Sequence, residues 1–355
     1  MKIIKFETEK KYVNDFLNLP KKIYTKKNNT EDCDTVRQLI TNTHPLNKYF
    51  KLTKFVVYKN DEAVGRFAIT EYPDEKKACY LGFFECIKDN KVAKEIFKEA
   101  ESFAKSHKYK KLIGPIDGSF WHKYRLKINL FDKAPYTGEP YNAEYYYDMF
   151  IKNNFKVSEH YVSNIIDKVD ESYSNAKFNA HFAEFEKLGY KIIKPKLKDF
   201  DKCIEEIYYL IMDLYSTFPA FKKLEKEDFI SIFSSYKKIL NMDMVRMAYF
   251  KEQAVGFCIS VPNYSNKVYH LNLKNILNIL ITKKHPKQYV MLYLGADRNH
   301  KGLGKAIAYT MAEELKKHDL TSISALIRDG NININYGHEK FINQYEYVLL
   351  EKNIK

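Results

Sequence analysis

Two glycines two residues apart, Gly302 and Gly304, carry the part of this chain whose chemistry is easiest to infer. They belong to a basic loop, Asn299 to Lys305, that precedes a segment with helical spacing of apolar residues. Glycine lets successive backbone N–H groups converge on one point, and the first turn of a helix adds unpaired amides and the positive end of its dipole. The loop therefore predicts a site for a phosphate or pyrophosphate group.

The elements that must position this loop are a strand and a helix. Tyr289 to Leu294 is an apolar run typical of a buried strand. After the loop, apolar residues recur at helical spacing at Leu303, Ile307, Met311 and Leu315. No third glycine completes a dinucleotide-binding fingerprint, and no Ser or Thr follows Lys305 as a Walker loop requires. An ordinary strand-to-helix turn without a ligand fits the same letters, so the motif alone leaves both interpretations open.

The composition indicates a folded protein with large apolar cores. Hydrophobic residues make up 45% of the 355 residues, aromatic residues 15% and charged residues 29%, which is ample for two to three globular domains. Because no run of eighteen apolar residues occurs, no membrane span is expected. The five cysteines are scattered and lack CxxC spacing, which indicates reduced thiols, a cytoplasmic location and no structural zinc site.

The two halves of the chain repeat one order of elements. Strand–turn–strand segments at 56–67 and 247–257 both run into Ala-Val-Gly, ending at Gly65 and Gly256. The turns are expected at Asn60-Asp61 and at Glu252-Gln253. Any hairpin with a charged turn has similar letters, but the matching order of strands and helices favours a tandem repeat of one α/β unit. The best boundary is the polar stretch Asp167 to Asn175.

The loop at Gly302 resembles motif A of the GNAT acyltransferases, R/Q-x-x-G-x-G/A, which holds the pyrophosphate of coenzyme A. Gly302 and Gly304 match the two glycines, and Asn299 stands at the Arg/Gln position. Both halves resemble GNAT domains, and nearly the whole chain resembles bacterial tandem-GNAT proteins of the YghO type. The matching segments are 64–68, 82–85, 113–115 and 141–146.

This resemblance implies an α/β (α+β) fold of two tandem GNAT-like domains, each a twisted mixed sheet flanked by helices. The domains would cover residues 1–168 and 169–355. The N-terminal domain would have a degenerate phosphate loop, because Lys88 to Lys91 contains no glycine. The C-terminal domain would keep motif A and would hold the thioester.

The resemblance further implies an N-acyltransferase in which a primary amine attacks a thioester directly, without a metal or a covalent enzyme intermediate. The donor would be acetyl-CoA or another acyl-CoA. The residues expected to bind it are Leu294, Asn299, His300, Lys301, Gly302, Leu303, Gly304, Lys305 and Asn331. Tyr336 would protonate the departing thiolate, with His338 as an alternative, and Asp297, Tyr293, His270 or a water would accept the proton of the amine.

Two other functions remain compatible with the sequence. An amide-forming transferase could draw its acyl group from a carrier-protein thioester or from aminoacyl-tRNA, and a non-catalytic binding protein could contain two degenerate GNAT domains. The formal net charge of +14 would attract an acidic carrier or tRNA. Compositional drift also explains this charge, since lysines are spread along the whole chain. The expected acceptor is a small-molecule or peptide amine, and no membrane partner is expected.

Overall fold

The computed structural model describes residues 1–170 and 176–355, and its strands form one mixed sheet through both halves and one small separate hairpin. The strands are β1 (Lys2–Phe6), β2 (Lys51–Lys59), β3 (Glu62–Glu71), β4 (Ala78–Cys86), β5 (Lys111–Gly114), β6 (Ile116–Asp117), β7 (Lys123–Tyr124), β8 (Leu126–Lys127), β9 (Lys156–Ile166), β10 (Tyr190–Ile193), β11 (Val245–Phe250), β12 (Gln253–Pro262), β13 (Gln288–Ala296), β14 (Thr321–Arg328) and β15 (Phe341–Asn353).

Helices flank this sheet. They are α1 (Lys10–Asn18), α2 (Pro20–Ile23), α3 (Cys33–Ile40), α4 (Asn90–Ser106), α5 (Tyr146–Lys152), α6 (Ala176–Lys187), α7 (Phe200–Leu214), α8 (Lys226–Phe233), α9 (Leu273–Lys284) and α10 (Leu303–Lys317). Within the described ranges, none of them combines the length and the apolar character that crossing a membrane would need.

The order of strands in the main sheet is β1-β2-β3-β4-β5-β15-β9-β14-β13-β12-β11-β10, and β8 pairs with β15 beside this path. The separate hairpin is β6–β7. In the main sheet two neighbouring pairs, β4–β5 and β13–β14, are parallel. A parallel pair needs a crossover connection, which is α4 in the first half and α10 in the second. The sheet therefore contains the same unit twice.

The repeated hairpins match in their turns. Asn60 and Asp61 connect β2 to β3 with φ angles of 50° and 61°, and Lys251 and Glu252 connect β11 to β12 with φ angles of 47° and 64°. Two consecutive positive φ angles are typical of the two-residue turn that suits the twist of antiparallel strands. The second turn lies one residue before the predicted Glu252-Gln253, because Gln253 already pairs with Phe250.

A glycine after each turn lets the crossover helix pack closely on the sheet. A Cβ placed on Gly65 would lie 2.8 Å from Ile96 Cδ1 of α4. A Cβ placed on Gly256 would lie 2.8 Å from Ile307 Cδ1 of α10. The Ala-Val-Gly segments noted in the sequence therefore have the same packing role in both halves.

The last strand of each half pairs within the sheet of the other half. β5 pairs with β15, β14 pairs with β9, and β9 and β15 pair with each other, with Tyr161 opposite Tyr347. β9 and β15 thus form a shared centre. The boundary expected between residues 168 and 169 follows β9 and stays a prediction. Positions 171–175 of the polar stretch Asp167 to Asn175 lie outside the described residues.

A buried polar cluster ties this centre to the N-terminal half. Lys127 Nζ lies 2.8 Å from Glu139 Oε1, and both side chains are fully buried. The Tyr347 hydroxyl of β15 donates a hydrogen bond of 2.8 Å to the same carboxylate. A buried charge is tolerated when it is paired and hydrogen-bonded. This cluster therefore stabilises β15 in its position within the sheet of the N-terminal half.

Two helical segments differ from the sequence expectation. Sequence periodicity predicts one helix from Lys226 to Leu240, but α8 ends at Phe233 and a 3₁₀ turn, Ser234–Lys238, follows it. α9 was not predicted, because its apolar residues do not form a buried face. Leu273 is 88% exposed, and Leu277 and Leu280 are each 59% exposed.

Candidate functional site

β13 and β14 separate after a short stretch of parallel pairing. Their pairing runs from Gln288 opposite Thr321 to Met291 opposite Ser324. β13 also has a bulge at Leu292, because consecutive residues of β12 pair with Met291 and with Tyr293. A bulge interrupts the ladder and redirects a side chain. The strand that enters the glycine loop is therefore open along the side that faces β14.

A cavity of about 860 Å³ fills this opening and continues between the two halves. The predicted residues Tyr293, Leu294, Asn331 and Tyr336 all line it. The structure thus brings the predicted strand together with Asn331 and Tyr336, the predicted site residues that follow β14. From the N-terminal half, a loop reaches the bulge itself, since a Cβ placed on Gly138 would lie 2.9 Å from Leu292 Cδ2.

The glycine loop presents unpaired amides at the start of α10. Gly302 is the N-cap residue with a φ of 88°, a conformation that favours glycine. Among the described contacts, the backbone amides of Lys301, Gly302 and Gly304 donate to no protein acceptor. A Cβ placed on Gly304 would have only van der Waals contacts, with the Tyr336 hydroxyl at 3.6 Å. This end of the loop has both the donors and the room that a phosphate oxygen needs.

Other loop residues are engaged within the protein. The Asn299 amide donates to Asp297 Oδ1 at 2.8 Å, and the Leu303 amide donates to His300 O at 3.1 Å. His300 Nδ1 lies 2.7 Å from the Tyr190 hydroxyl. The Leu303 side chain is fully buried, and the Lys305 amide donates to Gly302 O at 3.0 Å. These residues shape the loop, and its amides at Lys301, Gly302 and Gly304 are the available donors.

The carboxylate of Asp297 accepts the Asn299 amide, and neither Asp297 nor the loop Asn299 to Lys305 lines the cavity. The expected role of Asp297 as a base therefore receives no geometric support. Burial raises the pKa of Tyr293, so its phenol stays protonated at neutral pH and can donate a proton but not accept one. His270 was another candidate for the base. Its Nε2 lies 2.8 Å from Asn29 O, so this ring nitrogen is already engaged in a hydrogen bond within the protein.

Tyr336 lies where the strand opening meets the glycine loop. Its hydroxyl is beside Gly304, and burial raises its pKa above the ordinary value for tyrosine. Asn331 follows β14, and its amide donates to Arg328 O at 3.1 Å. The 3₁₀ turns Ile332–Asn335 and His338–Lys340 follow Asn331, and Tyr336 lies between them.

In the N-terminal half, protein atoms occupy the position that corresponds to the loop. Asp89 is the N-cap residue of α4, and its Oδ1 accepts the Lys91 amide at 2.8 Å. Its other oxygen lies 3.0 Å from Lys59 Nζ. A carboxylate of the chain itself therefore sits at the helix N-terminus where an anion would bind.

The opening beside β4 is filled as well. A Cβ placed on Gly82 would lie 1.7 Å from the backbone oxygen of Ile116, so the β6 segment rests directly on β4. The Cys86 amide donates to the Tyr146 hydroxyl at 2.9 Å. Tyr145 and Tyr146, which belong to the matching segment 141–146, thus act in packing. The two halves share a fold but differ in whether the site is open.

Arg125 and His122 are among the charged or titratable residues of the cavity that sequence reasoning missed. Burial lowers the pKa of His122 to about 4, so the imidazole is neutral at pH 7. Arg125 lies between β7 and β8, in a region that carries no motif. Trp121 also lines the cavity, and its indole N–H donates to Lys222 O at 2.7 Å.

The architecture is similar to that of two solved structures. A tandem GNAT protein from the clavulanic acid biosynthesis pathway, solved without AcCoA, matches with a TM-score of 0.53 at 11% identity, covering 100% of this chain and 98% of that one. The GCN5-related glucosamine N-acetyltransferase region of a fungal multi-domain GH3 beta-N-acetylglucosaminidase matches with a TM-score of 0.56 at 13% identity, covering 99% of this chain and 38% of that one. No family profile and no curated protein matches the chain. The repeated unit and the full-length match together show that this chain has the tandem GNAT fold.

Proposed function

We propose that the C-terminal half transfers an acyl group from a thioester, acetyl-CoA or another acyl-CoA, to a primary amine. The observation that carries the proposal is the cavity in the opening between β13 and β14, where Tyr336 lies beside Gly304 of a loop with unpaired amides. The N-terminal half, whose opening and helix N-terminus are filled, would have a supporting role.

The residues of the C-terminal half fit coenzyme A. The amides of Lys301, Gly302 and Gly304 would hold the pyrophosphate, assisted by the exposed Lys301 side chain. The apolar residues Leu292 and Leu294 would contact the pantetheine arm along β13. When bound, the thioester supplies an acyl carbon that an amine can attack.

Each residue of the site has a distinct task in this proposal. The sequence points to the Leu294 amide for polarising the thioester carbonyl, but the bulge makes the backbone amide at Leu292 the better candidate for this role. Tyr336 would give its proton to the thiolate, since its phenol is protonated and lies at the loop end of the cavity. The acceptor amine would enter from the part of the cavity that the N-terminal half lines, and a water would take up its proton.

Calorimetric titration with acetyl-CoA tests the donor site. Gly304→Glu would place a carboxylate at the second residue of α10, where the backbone tolerates a side chain, and we expect donor affinity to fall roughly a hundredfold or more through charge repulsion. Lys91→Glu makes a matched change at the second residue of α4 and should leave affinity unchanged. Loss of binding in Lys91→Glu with binding retained in Gly304→Glu would move the donor site to the other half.

The same titration separates the donor classes. Acetyl-CoA, an acylated carrier protein and an aminoacyl-tRNA can be added in turn to the wild-type protein. We expect acetyl-CoA to bind and its acetyl group to be transferred to an amine, and mass spectrometry of the product measures this transfer. Transfer only from the carrier or the tRNA would support the amide-forming transferase, and binding without transfer from any of them would support the binding protein.

A further inference from the structure

Arg125 is a buried guanidinium that has no carboxylate partner within residues 1–170 and 176–355. It is 8% exposed, its Nη2 donates to the Tyr124 hydroxyl, and its Nε has no hydrogen-bond partner among the described residues. Its Cζ lies 3.8 Å from the ring centroid of Tyr124 and 4.2 Å from that of Tyr161. The two rings orient the guanidinium, but they do not neutralise it, and arginine keeps its charge in proteins.

Two other arginines are buried within the described residues, and both are paired. Arg66 forms an ion pair with Glu31, and Arg246 lies 3.4 Å from Glu314. The half-buried Arg328 lies 2.7 Å from Glu159. A buried charge without a partner is costly. Arg125 therefore differs from the structural arginines of the same protein in a way that indicates an external partner.

The carboxylates that line the cavity with Arg125 have other partners. Glu31 pairs with Arg66, Asp32 accepts amides in the first turn of α3, Asp117 accepts the Phe83 amide, and Glu139 pairs with Lys127. Within the described part of the chain, none of these groups compensates the charge of Arg125. The cavity consequently has a fixed positive charge at this point.

Arg125 also faces the opening beside β13. It lines the same cavity as Leu292 and Tyr293. Burial raises the pKa of Tyr293, and the charge of Arg125 opposes that rise, which places the guanidinium within electrostatic reach of the opened strand. Phe120 stacks on Tyr124 with a centroid distance of 5.0 Å, so apolar rings surround the charge.

We propose that Arg125 binds the carboxylate of the acceptor, so that the acceptor is an amine that also carries a carboxylate, as amino acids do. The carboxylate site stands on the unpaired guanidinium alone, whereas its assignment to the acceptor rests on the proposed acyl transfer. A guanidinium recognises a carboxylate through charge-assisted, often bidentate hydrogen bonds, and the surrounding rings would contact the apolar part of the same molecule.

Calorimetry with phenylacetate and phenylacetamide tests the site without any thioester. The two probes have the same shape and differ in charge. We expect the wild-type protein to bind phenylacetate at least roughly tenfold more tightly than phenylacetamide, because a charge-assisted hydrogen bond contributes that much. Equal binding of the two probes, or no binding of either, would overturn the proposal.

Three variants locate the effect. Arg125→Gln should remove the preference for phenylacetate, and Arg125→Lys, which keeps the charge if Gln prevents folding, should keep a reduced preference. Arg37→Gln removes a charge from an exposed arginine of α3 and should bind like the wild type. A preference that persists in Arg125→Gln would refute the assignment.

Activity then distinguishes this inference from the proposed function. With acetyl-CoA present, amino acids should be acetylated faster than their amides by the wild-type protein, and Arg125→Gln should abolish the difference. Carboxylate binding without acyl transfer would leave the site standing and refute the transferase. Transfer to amines and amino acids at equal rates would support the transferase and refute the carboxylate site.

Discussion

Tyr336 and Tyr293 line the same cavity, and burial raises the pKa of both hydroxyls. A phenol with a raised pKa keeps its proton at neutral pH, so each residue can act as a proton donor. Only the Tyr336 hydroxyl lies beside Gly304 of the loop. At the scale of single residues, this contact favours Tyr336 over Tyr293 as the acid.

Tyr336→Phe should lower kcat about a hundredfold, because it removes the proton that the thiolate receives and leaves the ring in place. The Kd for acetyl-CoA should stay within about twofold of the wild-type value. Steady-state assays measure kcat, and calorimetry measures the Kd for acetyl-CoA. Tyr293→Phe is the companion variant. An unchanged rate in Tyr336→Phe together with a collapsed rate in Tyr293→Phe would reassign the acid.

Glu85 of β4 should make the stability of the N-terminal half depend on pH. Burial raises its pKa to about 7, from an ordinary value of 4.5, although Tyr24 and Tyr146 donate hydrogen bonds to it. The folded protein therefore binds this proton more tightly than the unfolded chain. The free energy of unfolding should fall by about 3 kcal/mol as pH rises from about 4.5 to about 7.

Urea unfolding at pH 5 and pH 7 checks this dependence. Glu85→Gln cannot titrate, so the fall in stability between the two pH values should be smaller in this variant by most of that amount. Parallel pH profiles for the wild type and Glu85→Gln would show that Glu85 titrates normally in the folded protein.

Single residues differ in how far the sequence reveals them. Gly302 and Gly304 were predictable, because a glycine pair before a helix indicates a phosphate-binding loop from neighbouring residues alone. Arg125 was not, because its isolation from carboxylates arises from packing between β7, β8 and β9. The bulge at Leu292 was not predictable either, since the sequence pattern of an apolar strand is the same with or without a bulge.

At the scale of elements, the contrast between the halves lies beside β4 and β13. In the N-terminal half the β6 segment rests on Gly82, whereas in the C-terminal half the corresponding opening is a cavity. The hairpins, the crossover helices and their glycines were predictable from periodicity and turn residues. The pairing of β15 with β5 was not, because the two segments are far apart in the chain.

Gly82→Ala should destabilise the protein by roughly 3 kcal/mol or more, since the added methyl group meets the backbone of Ile116 and cannot be accommodated by a side-chain rotation. Gly304→Ala, at a position with room, should be neutral or slightly stabilising, because alanine favours helix. Thermal and urea unfolding of both variants measure the difference. A tolerated Gly82→Ala would mean that the N-terminal opening is not closed by β6.

At the scale of the whole molecule, the exchange of β9 and β15 makes the two halves depend on each other. Each contributes an outer sheet and one strand of the shared centre. The cavity draws residues from both halves, so the arrangement that completes the sheet also completes the site. A repeat read from the sequence suggests two separate units, whereas the topology indicates one cooperative structure.

Fragments 1–170 and 176–355, expressed separately, should therefore fail to fold, and should fold together when mixed. Without β15, fragment 1–170 loses the strand that pairs with both β5 and β9. Five buried residues of β15 then lack their contacts, namely Tyr345, Tyr347, Val348, Leu349 and Leu350. At about 1.5–3 kcal/mol for each buried side chain, this loss is roughly 10 kcal/mol, comparable with the whole stability of a domain.

Circular dichroism and sedimentation of each fragment and of their mixture measure this dependence. The expected result is a 1:1 complex with a single cooperative unfolding transition, and no such transition for either fragment alone. A fragment 1–170 that unfolded cooperatively by itself would mean that β5 and β9 can pair directly once β15 is absent. The exchange would then be one of two accessible pairings, and the sheet order would be set by the covalent connection between the halves.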